Sequence, residues 1–223
     1  MGAQQRHYTT GWGAYIGTVD EVLAWPDNKL TSFKRGGVMV RLRAGLEQYM
    51  LFTLQPRAYG MLIRDFGGSV DTAEHPVHAA LREGLEESLF VLRPWLQLRR
   101  VGSSKVYAYL DTLYVLLDLR GVSATDLRDR FLVAKKALAE SGRPIPPELN
   151  ETHDFVCVPM SEIRKRLAYD HPCRYEQSIW SKSLWQSLRG LVPIFRSVKY
   201  IIHLRVHYEG GAGGVGVGAG VFF

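Results

Sequence analysis

Residues 66–90 have the sequence FGGSVDTAEHPVHAALREGLEESLF, and they contain the features that decide the fold of this chain. Pro76 suits the first position of a helix, because the N–H that proline lacks would have no partner there. His75 is therefore the expected N-cap. The apolar spacing that follows predicts a helix over 76–92, and Pro94 bounds it.

The predicted helix has two unlike faces. Glu83, Glu86 and Glu87 are three and four residues apart, so their carboxylates share one face. A solvated acidic face would explain them, but like charges at this spacing repel, and a site for divalent cations is a better reason for the cluster. Such hard oxygen ligands suit Mg²⁺ or Mn²⁺, which in turn suit phosphates. The opposite face carries the apolar stripe Val77, Leu81, Leu85, Leu89 and Leu92.

The spacing of the whole stretch resembles the box of the Nudix hydrolases, G-x5-E-x7-R-E-U-x-E-E-x-G-U, in which U is a bulky aliphatic residue. Gly84 stands where the box has an aliphatic residue, which predicts a lost core contact and a helix-propensity cost of about 1 kcal/mol. Leu89 stands where the box has its second glycine, so we expect no left-handed helix stop there and a helix that continues towards Leu92. The matching positions, with every gap preserved, are Gly68, Glu74, Arg82, Glu83, Glu86 and Glu87.

The resemblance implies an α/β fold with a mixed sheet sandwiched between helices. We expect it over residues 36–206, after an irregular lead-in at 1–35 and before a glycine-rich, disordered tail at 207–223. The strand predictions are a hairpin of 37–43 and 48–54, a strand at 61–66, one or two strands within 105–119, and a strand at 154–158. The helix predictions are 123–140, a helix capped by Ser161, and one or two helices within 174–206.

In Nudix enzymes the box holds divalent metal against a diphosphate, and water attacks one phosphorus. Carried over by position, this makes Glu86 and Glu87 the main metal ligands, helped by the Gly67 carbonyl. Glu83 would be a further ligand or the general base, and Arg82 would orient it. Which glutamate is the base varies within the family.

Further residues are expected to support the site. Gly68 and Glu74 belong to the box and would hold its loop. Arg57 and Arg64, between the hairpin and the box, could bind a substrate phosphate. The alternative is that each is an ordinary solvated charge. The family often places an acidic residue in the loop before a late strand, and here Glu151 is the first choice. Glu148 is the second choice, followed by His153 and Asp154.

The chain has 223 residues, a net charge of +6 and a pI near 9.4, which favours a polyanionic partner, nucleic acid foremost, with a generally basic soluble protein as the alternative. A basic, helical segment over 164–205 could hold an RNA body, although solvated charges on a packed segment are the alternative. Cys157 and Cys173 have no metal-ligand spacing, which fits a reducing compartment. No signal peptide or long apolar run is present, so we expect no membrane segment and a cytoplasmic location.

The resemblance implies a hydrolase of phosphoric anhydride bonds that uses Mg²⁺ or Mn²⁺. Its expected substrate is a nucleoside-diphosphate-linked small molecule, a nucleotide, or the 5′ cap of RNA. One alternative is clearance of ADP-ribose or a non-canonical nucleoside triphosphate. The other is a non-catalytic RNA- or protein-binding module on the same scaffold, suggested by Gly84 and Leu89.

Overall fold

The computed structural model describes residues 14–57, 60–168 and Leu188, and its central element is a mixed β-sheet. The strands are β1 Ala14–Thr18, β2 Arg35–Ala44, β3 Glu47–Arg57, β4 Gly60–Arg64, β5 Phe66–Ser69, β6 Lys105–Tyr109, β7 Thr112–Arg120 and β8 Asp154–Pro159. The helices are α1 Val19–Leu23, α2 Pro76–Glu87, α3 Leu98–Val101, α4 Ala124–Glu140 and α5 Met160–Ala168, with 3₁₀ turns at Asp27–Lys29 and Pro147–Leu149.

Strand β2 is central to the sheet, because it pairs with β3, β5 and β7. Its order is β1-β6-β7-β2-β3-β4, while β5 also pairs with β2 and β8 with β3. The first residues of β2 pair with β5, and its last residues pair with β3 in a hairpin. Along its other edge β2 runs parallel to β7. This division places the Gly67–Gly68 segment of β5 directly beside Gly36 and Gly37 of β2.

Both faces of the sheet are covered, because successive side chains of a strand point to opposite faces. Val38 and Val40 of β2 join the core that includes Val77 of α2 and Phe131 of α4. Met39, between those two valines, joins a second core with residues of α5. The predicted α/β architecture, a mixed sheet sandwiched between helices, is confirmed.

Several predicted elements need correction. The strand expected at 61–66 is two strands, because β4 pairs with β3 and β5 crosses to β2, with the buried Asp65 at the change. The segment 105–119, for which one or two strands were predicted, contains two, β6 and β7, which pair as a hairpin, and that prediction is confirmed. Ser161 lies inside α5, which already begins at Met160. Residues 14–35 are more than an irregular lead-in, since β1 pairs with β6 and α1 packs into the core.

The predicted end of the box helix is wrong. Helix α2 ends at Glu87, and Leu89 adopts the left-handed conformation with φ 48°. The N–H of Leu89 donates to the carbonyl of Glu86 at 3.0 Å, and the N–H of Phe90 donates to the carbonyl of Leu85 at 2.7 Å. This pair of hydrogen bonds is a Schellman motif, with leucine in the position that usually holds glycine.

The start of α2 is as predicted, and Val77, Leu81 and Leu85 of the predicted apolar stripe face the core from this helix, whereas Leu89 and Leu92 come after its end. His75 is the N-cap, and its Nδ1 accepts a hydrogen bond from the N–H of Val77 at 3.1 Å. The predicted helices at 174–206 and the tail at 207–223 lie outside the described residues, apart from the buried Leu188. None of the described helices has the length and apolar character that crossing a membrane requires.

Candidate functional site

Close packing of glycines brings the box loop against α2. A Cβ at Gly36 would lie 2.6 Å from both the Ala80 nitrogen and the Pro76 carbonyl oxygen, so α2 lies directly on β2. A Cβ at Gly68 would lie 2.4 Å from Oε1 of Glu83. Since no real side chain tolerates such a distance, the absence of a side chain at position 68 allows the Glu83 carboxylate to lie against the loop.

Arg82 is the hub of the carboxylates on this side of α2. Its Nε and Nη2 donate to the two carboxylate oxygens of Glu74, each at 2.9 Å. Its Nη1 donates to Glu83 at 2.7 Å and to Glu86 at 3.1 Å, while Nη2 also reaches the Ser69 carbonyl. The hydrogen bonds from Arg82 lower the pKa of Glu74. Burial raises the pKa of Glu83 in spite of the same guanidinium.

Glu87 lies deeper than the other box glutamates and is only 4% exposed. One of its carboxylate oxygens accepts from Nε2 of Gln55 at 2.6 Å, and the other accepts from the N–H of Gly67 at 2.9 Å. Burial, followed by the negative charge of Asp65, raises the pKa of Glu87 to about 8. A buried carboxylate of this kind is the type of group that a bound cation would stabilise in its charged form.

Residues that the sequence analysis did not single out support this loop. Arg35 donates from Nη2 to the Gly67 carbonyl at 2.7 Å and to Asp65 at 2.9 Å. Its Nη1 also contacts Asp65 and lies 3.1 Å from the Tyr114 hydroxyl. The signal in the sequence is weak but present, because Asp65 is an acidic residue between the strand that ends at Arg64 and the glycine loop. The Gly67 carbonyl, expected as a metal ligand, thus accepts a hydrogen bond from Arg35.

The other predicted residues lie at different distances from this centre. Arg64 donates to Oε1 of Gln55 at 2.8 Å and so helps to fix the partner of Glu87. The side chain of Arg57 lies outside the described residues. Glu148 and Glu151 are exposed, in a segment whose 3₁₀ turn packs against α2. Of the remaining candidates, His153 is exposed and Asp154 forms a salt bridge with Arg128 at 2.6 Å.

The chemistry of the box carboxylates fits Mg²⁺ or Mn²⁺, which prefer hard oxygen ligands. Glu83 and Glu86 already share one cationic partner, the Arg82 guanidinium. Across residues 14–57 and 60–168, no three acidic, histidine or cysteine side chains converge on a common point as a finished metal site. The reason is visible in the contacts, since Glu83 and Glu86 face Arg82 while Glu87 faces Gln55.

No protein-family model and no curated protein matches this sequence. Among solved structures, the chain is similar to an Ap4A hydrolase from C. elegans, solved as a binary complex, with 12% identity and a TM-score of 0.37. That similarity covers 73% of this chain and 97% of the hydrolase. The chain is also similar to RenU, a Nudix hydrolase from M. smegmatis, with 14% identity and a TM-score of 0.36 over 74% of this chain and 86% of RenU.

RenU belongs to the family whose box residues 66–90 resemble. Both overlaps are loose and both identities are low. The functional argument therefore rests on the box residues and on the contacts that bring them together.

Proposed function

We propose that this protein is a Nudix hydrolase that uses Mg²⁺ or Mn²⁺ to cleave a diphosphate linkage in a nucleoside-diphosphate-linked substrate. The observation that carries the proposal is the meeting of the box residues at one place. Loop and helix, separated by the turn at 70–75, come together where the Glu83 carboxylate lies against Gly68 and Glu87 binds the N–H of Gly67. A generic acidic surface helix would not bury one of its glutamates against a glycine loop.

In this proposal Glu83, Glu86 and Glu87 hold the metal, with the Gly67 carbonyl as a further ligand. A bound divalent ion would neutralise the phosphates and lower the pKa of water in the site. Glu83 can alternatively take the proton from the attacking water, because a carboxylate within reach of that water serves as a general base. Arg82 donates hydrogen bonds to Glu83 and Glu86, so metal binding by these two carboxylates competes with those hydrogen bonds.

The remaining parts of the site position these groups. Gln55 and Arg64 fix the Glu87 carboxylate, and Arg35 fixes the Gly67 peptide that borders it. We place Arg64 and Arg57 on the side from which substrate phosphates approach. Glu151 is the proposed additional acidic residue, because its segment packs against α2 close to the box.

Within this class we favour a nucleotide or the 5′ cap of RNA as the substrate, on the basis of the net charge of +6. Small-molecule clearance, for example of ADP-ribose or a non-canonical nucleoside triphosphate, uses the same carboxylates. The two differ in what the protein binds beyond the diphosphate.

The test is a hydrolysis assay on a panel of a cap dinucleotide, a capped RNA, ADP-ribose, a dinucleoside polyphosphate and nucleoside triphosphates. We expect product release from at least one of them, abolished by a chelator and restored by Mg²⁺ or Mn²⁺. The variant Glu86→Gln should lose this activity, while Glu140→Gln, which changes an exposed carboxylate on α4, should keep it. A folded protein that turns over none of these substrates with either metal would contradict the proposal and favour the binding module.

A further inference from the structure

A second polar cleft lies at the other end of β2 from the box. It has a volume of about 510 Å³ and lies beside the final residues of β7, where Ser103 and Ser104 also line it. Of the described residues that line it, five are basic and one, Asp118, is acidic. The basic residues and the aromatic residue of the lining are Arg41, Arg43, Arg100, Lys105, Arg120 and Trp95.

The charges of the cleft are only partly compensated. Asp118 accepts two hydrogen bonds from Arg41, at 2.7 and 3.1 Å, and two from Arg43, at 2.6 and 2.8 Å. One carboxylate therefore balances two guanidinium groups. Arg120 and Lys105 are exposed, and neither has an ion-pair partner among the described residues.

Two further cations extend the basic surface. Arg100 is exposed, and its Nη1 donates to the Pro94 carbonyl at 2.7 Å, which directs the side chain along the loop beside Trp95. Arg164 of α5 lies close enough to Arg41 that burial and that neighbouring positive charge lower its pKa. The positive potential therefore continues from the cleft towards α5.

The shape of the cleft suits an extended ligand. The pairing of β6 with β7 ends at Val106 and Val115, so beyond that point β7 has strand pairing only with β2 among the described residues. The cleft follows this uncovered edge of β7. Trp95 packs against the core and also lines the cleft, and Arg100 donates to the carbonyl of Pro94, the residue that precedes this ring.

We propose that this cleft binds the phosphate backbone of single-stranded RNA, with Trp95 as a stacking surface for a base. Positive side chains spread along a groove with an interleaved aromatic residue are the features by which proteins hold single strands without reading their sequence. A small nucleotide would need its cations focused on one point, whereas these basic side chains come from β2, α3, β6 and β7. An acidic peptide or an anionic membrane would not use a concave groove with a stacking ring.

The cleft is separate from the candidate active site. Gly37, which pairs with Gly67, and Arg43 are six residues apart on β2. At about 3.3 Å per residue of strand, this distance is about 20 Å. About six stacked nucleotides of RNA would span it. Binding here does not depend on hydrolysis, so the inference goes beyond the proposed function and can be tested without it.

The test uses the full chain and a fluorescent single-stranded RNA of about 20 nucleotides with a 5′ hydroxyl, which offers no diphosphate to cleave. Binding is followed by anisotropy across a range of salt concentrations. The variant Arg100→Glu/Arg120→Glu is compared with Lys136→Glu/Arg143→Glu, which changes the net charge equally at exposed positions outside the cleft.

We expect the cleft variant to weaken RNA binding by about tenfold or more, and to reduce the slope of log affinity against log salt by about 1.4, since each lost phosphate contact contributes about 0.7. The control pair should change affinity much less. Asp118→Asn serves as a second variant, because it frees two guanidinium groups and should tighten binding. Circular dichroism verifies that each variant is folded.

Three results would overturn the inference. The first is a wild-type protein that does not bind the RNA, and the second is equal weakening by the cleft pair and the control pair. The third is displacement of the RNA by ATP at equal phosphate concentration, which would make the cleft a site for small nucleotides. None of these results bears on hydrolysis, so a failed panel assay and a failed binding assay remain distinguishable.

Discussion

A missing side chain at Gly68 controls how closely the Glu83 carboxylate approaches the box loop. A Cβ there would lie 2.4 Å from Oε1 of Glu83, so Gly68→Ala must displace that carboxylate. Because misplacing a catalytic group by a fraction of an ångström is costly, we expect turnover to fall by about tenfold or more. Turnover and urea unfolding should be measured for Gly68→Ala and for Ser69→Ala, the exposed neighbour. A variant with full activity would remove Glu83 from the chemistry.

Glu87 differs from the other box glutamates in its depth and its partners. We expect Glu87→Gln to reduce metal-dependent turnover on the order of a hundredfold, because it removes a charged ligand from the metal. The fold should remain, since the amide keeps the shape of the side chain. Turnover at limiting metal is the measurement, with the exposed Glu140→Gln as the control. Turnover near the wild-type value under those conditions would contradict the assignment of Glu87 as a ligand.

At the scale of single elements, α2 shows that a departure from the box can be part of the packing. Gly84 is buried, and a Cβ there would lie 2.9 Å from both a Val38 methyl and a Leu96 methyl. The sequence analysis predicted that Gly84 loses a core contact. This prediction is wrong, because neighbouring side chains already fill that space.

Restoring a bulky aliphatic residue at this position should destabilise the protein. We expect Gly84→Val to lower the free energy of unfolding by about 1–3 kcal/mol through overpacking, more than any gain in helix propensity. The control is Ala137→Val on the exposed side of α4, where only the propensity changes. Urea unfolding measures both variants. A Gly84→Val protein that is more stable than wild type would show that α2 can move away from β2.

Strands β2 and β7 are joined by a cross-strand ion pair whose contribution depends on pH. Although burial raises the pKa of Asp118, hydrogen bonds from Arg43 and Arg41 hold that pKa below its ordinary value. A lowered folded-state pKa gives stability that is present above the ordinary value near 3.9 and is lost as pH falls through the folded-state value.

The corresponding variant should therefore show its full effect only above the ordinary pKa of an aspartate. We expect Asp118→Asn to cost about 1–3 kcal/mol of unfolding free energy at pH 7, where it leaves two partly buried guanidinium groups without their partner. As pH falls below the ordinary value near 3.9 and through the lowered folded-state pKa of Asp118, the difference from wild type should shrink towards zero. Urea unfolding at several pH values checks this, with the exposed Asp129→Asn on α4 as the control. A difference that does not change with pH would mean that packing, not charge, is lost.

The elements also show which parts of the fold a sequence can predict. Local signals were enough for the start of α2, because His75 and Pro76 act on the first turn by themselves. The end of α2 was mispredicted, since Leu92 and Leu96 are buried in the same core and the chain must turn to place them there. That tertiary demand outweighs the roughly 1–2 kcal/mol by which a non-glycine residue disfavours the left-handed conformation.

The candidate site also depends partly on local signals in the sequence and partly on contacts that only the folded sheet creates. Motif spacing identified the glutamates of α2, but Gln55, which binds Glu87, comes from β3, and the Arg35–Asp65 pair that supports the Gly67 loop comes from β2 and from the junction of β4 and β5. The motif spacing does not predict contacts between residues that are 30 or more positions apart in the sequence, as Arg35 and Asp65 are. They meet because β2 divides its pairing between β3 and β5, which is a property of the assembled sheet.

At the scale of the whole molecule, β2 connects the candidate active site with the basic cleft. The box loop adjoins its first residues, and the basic cleft adjoins its last residues. A substrate that reaches both places would gain binding energy that a small nucleotide cannot. Because the box treats any diphosphate alike, such remote binding is where specificity for RNA would arise.

Substrate length therefore separates RNA-end hydrolysis from clearance of small nucleotides. We would compare kcat/KM for a cap dinucleotide with kcat/KM for a capped RNA of about 30 nucleotides, at low and moderate salt. The RNA should be cleaved with the higher kcat/KM at low salt and should lose that advantage steeply as salt rises, because its affinity falls with the number of phosphates neutralised. The dinucleotide should change little.

Two charge reversals sharpen this comparison. In Arg100→Glu/Arg120→Glu the advantage of the RNA should shrink while cleavage of the dinucleotide is unchanged, since both side chains line the cleft and Arg100 donates to the Pro94 carbonyl, which is outside the box. Arg164→Glu/Lys165→Glu tests the extension of the same surface onto α5. Equal efficiency on both substrates, unaffected by salt or by either pair of variants, would contradict RNA-end hydrolysis and favour small nucleotides. Loss of dinucleotide cleavage in the same variants would mean that these substitutions disturb the box residues themselves, because the dinucleotide is too short to reach the cleft.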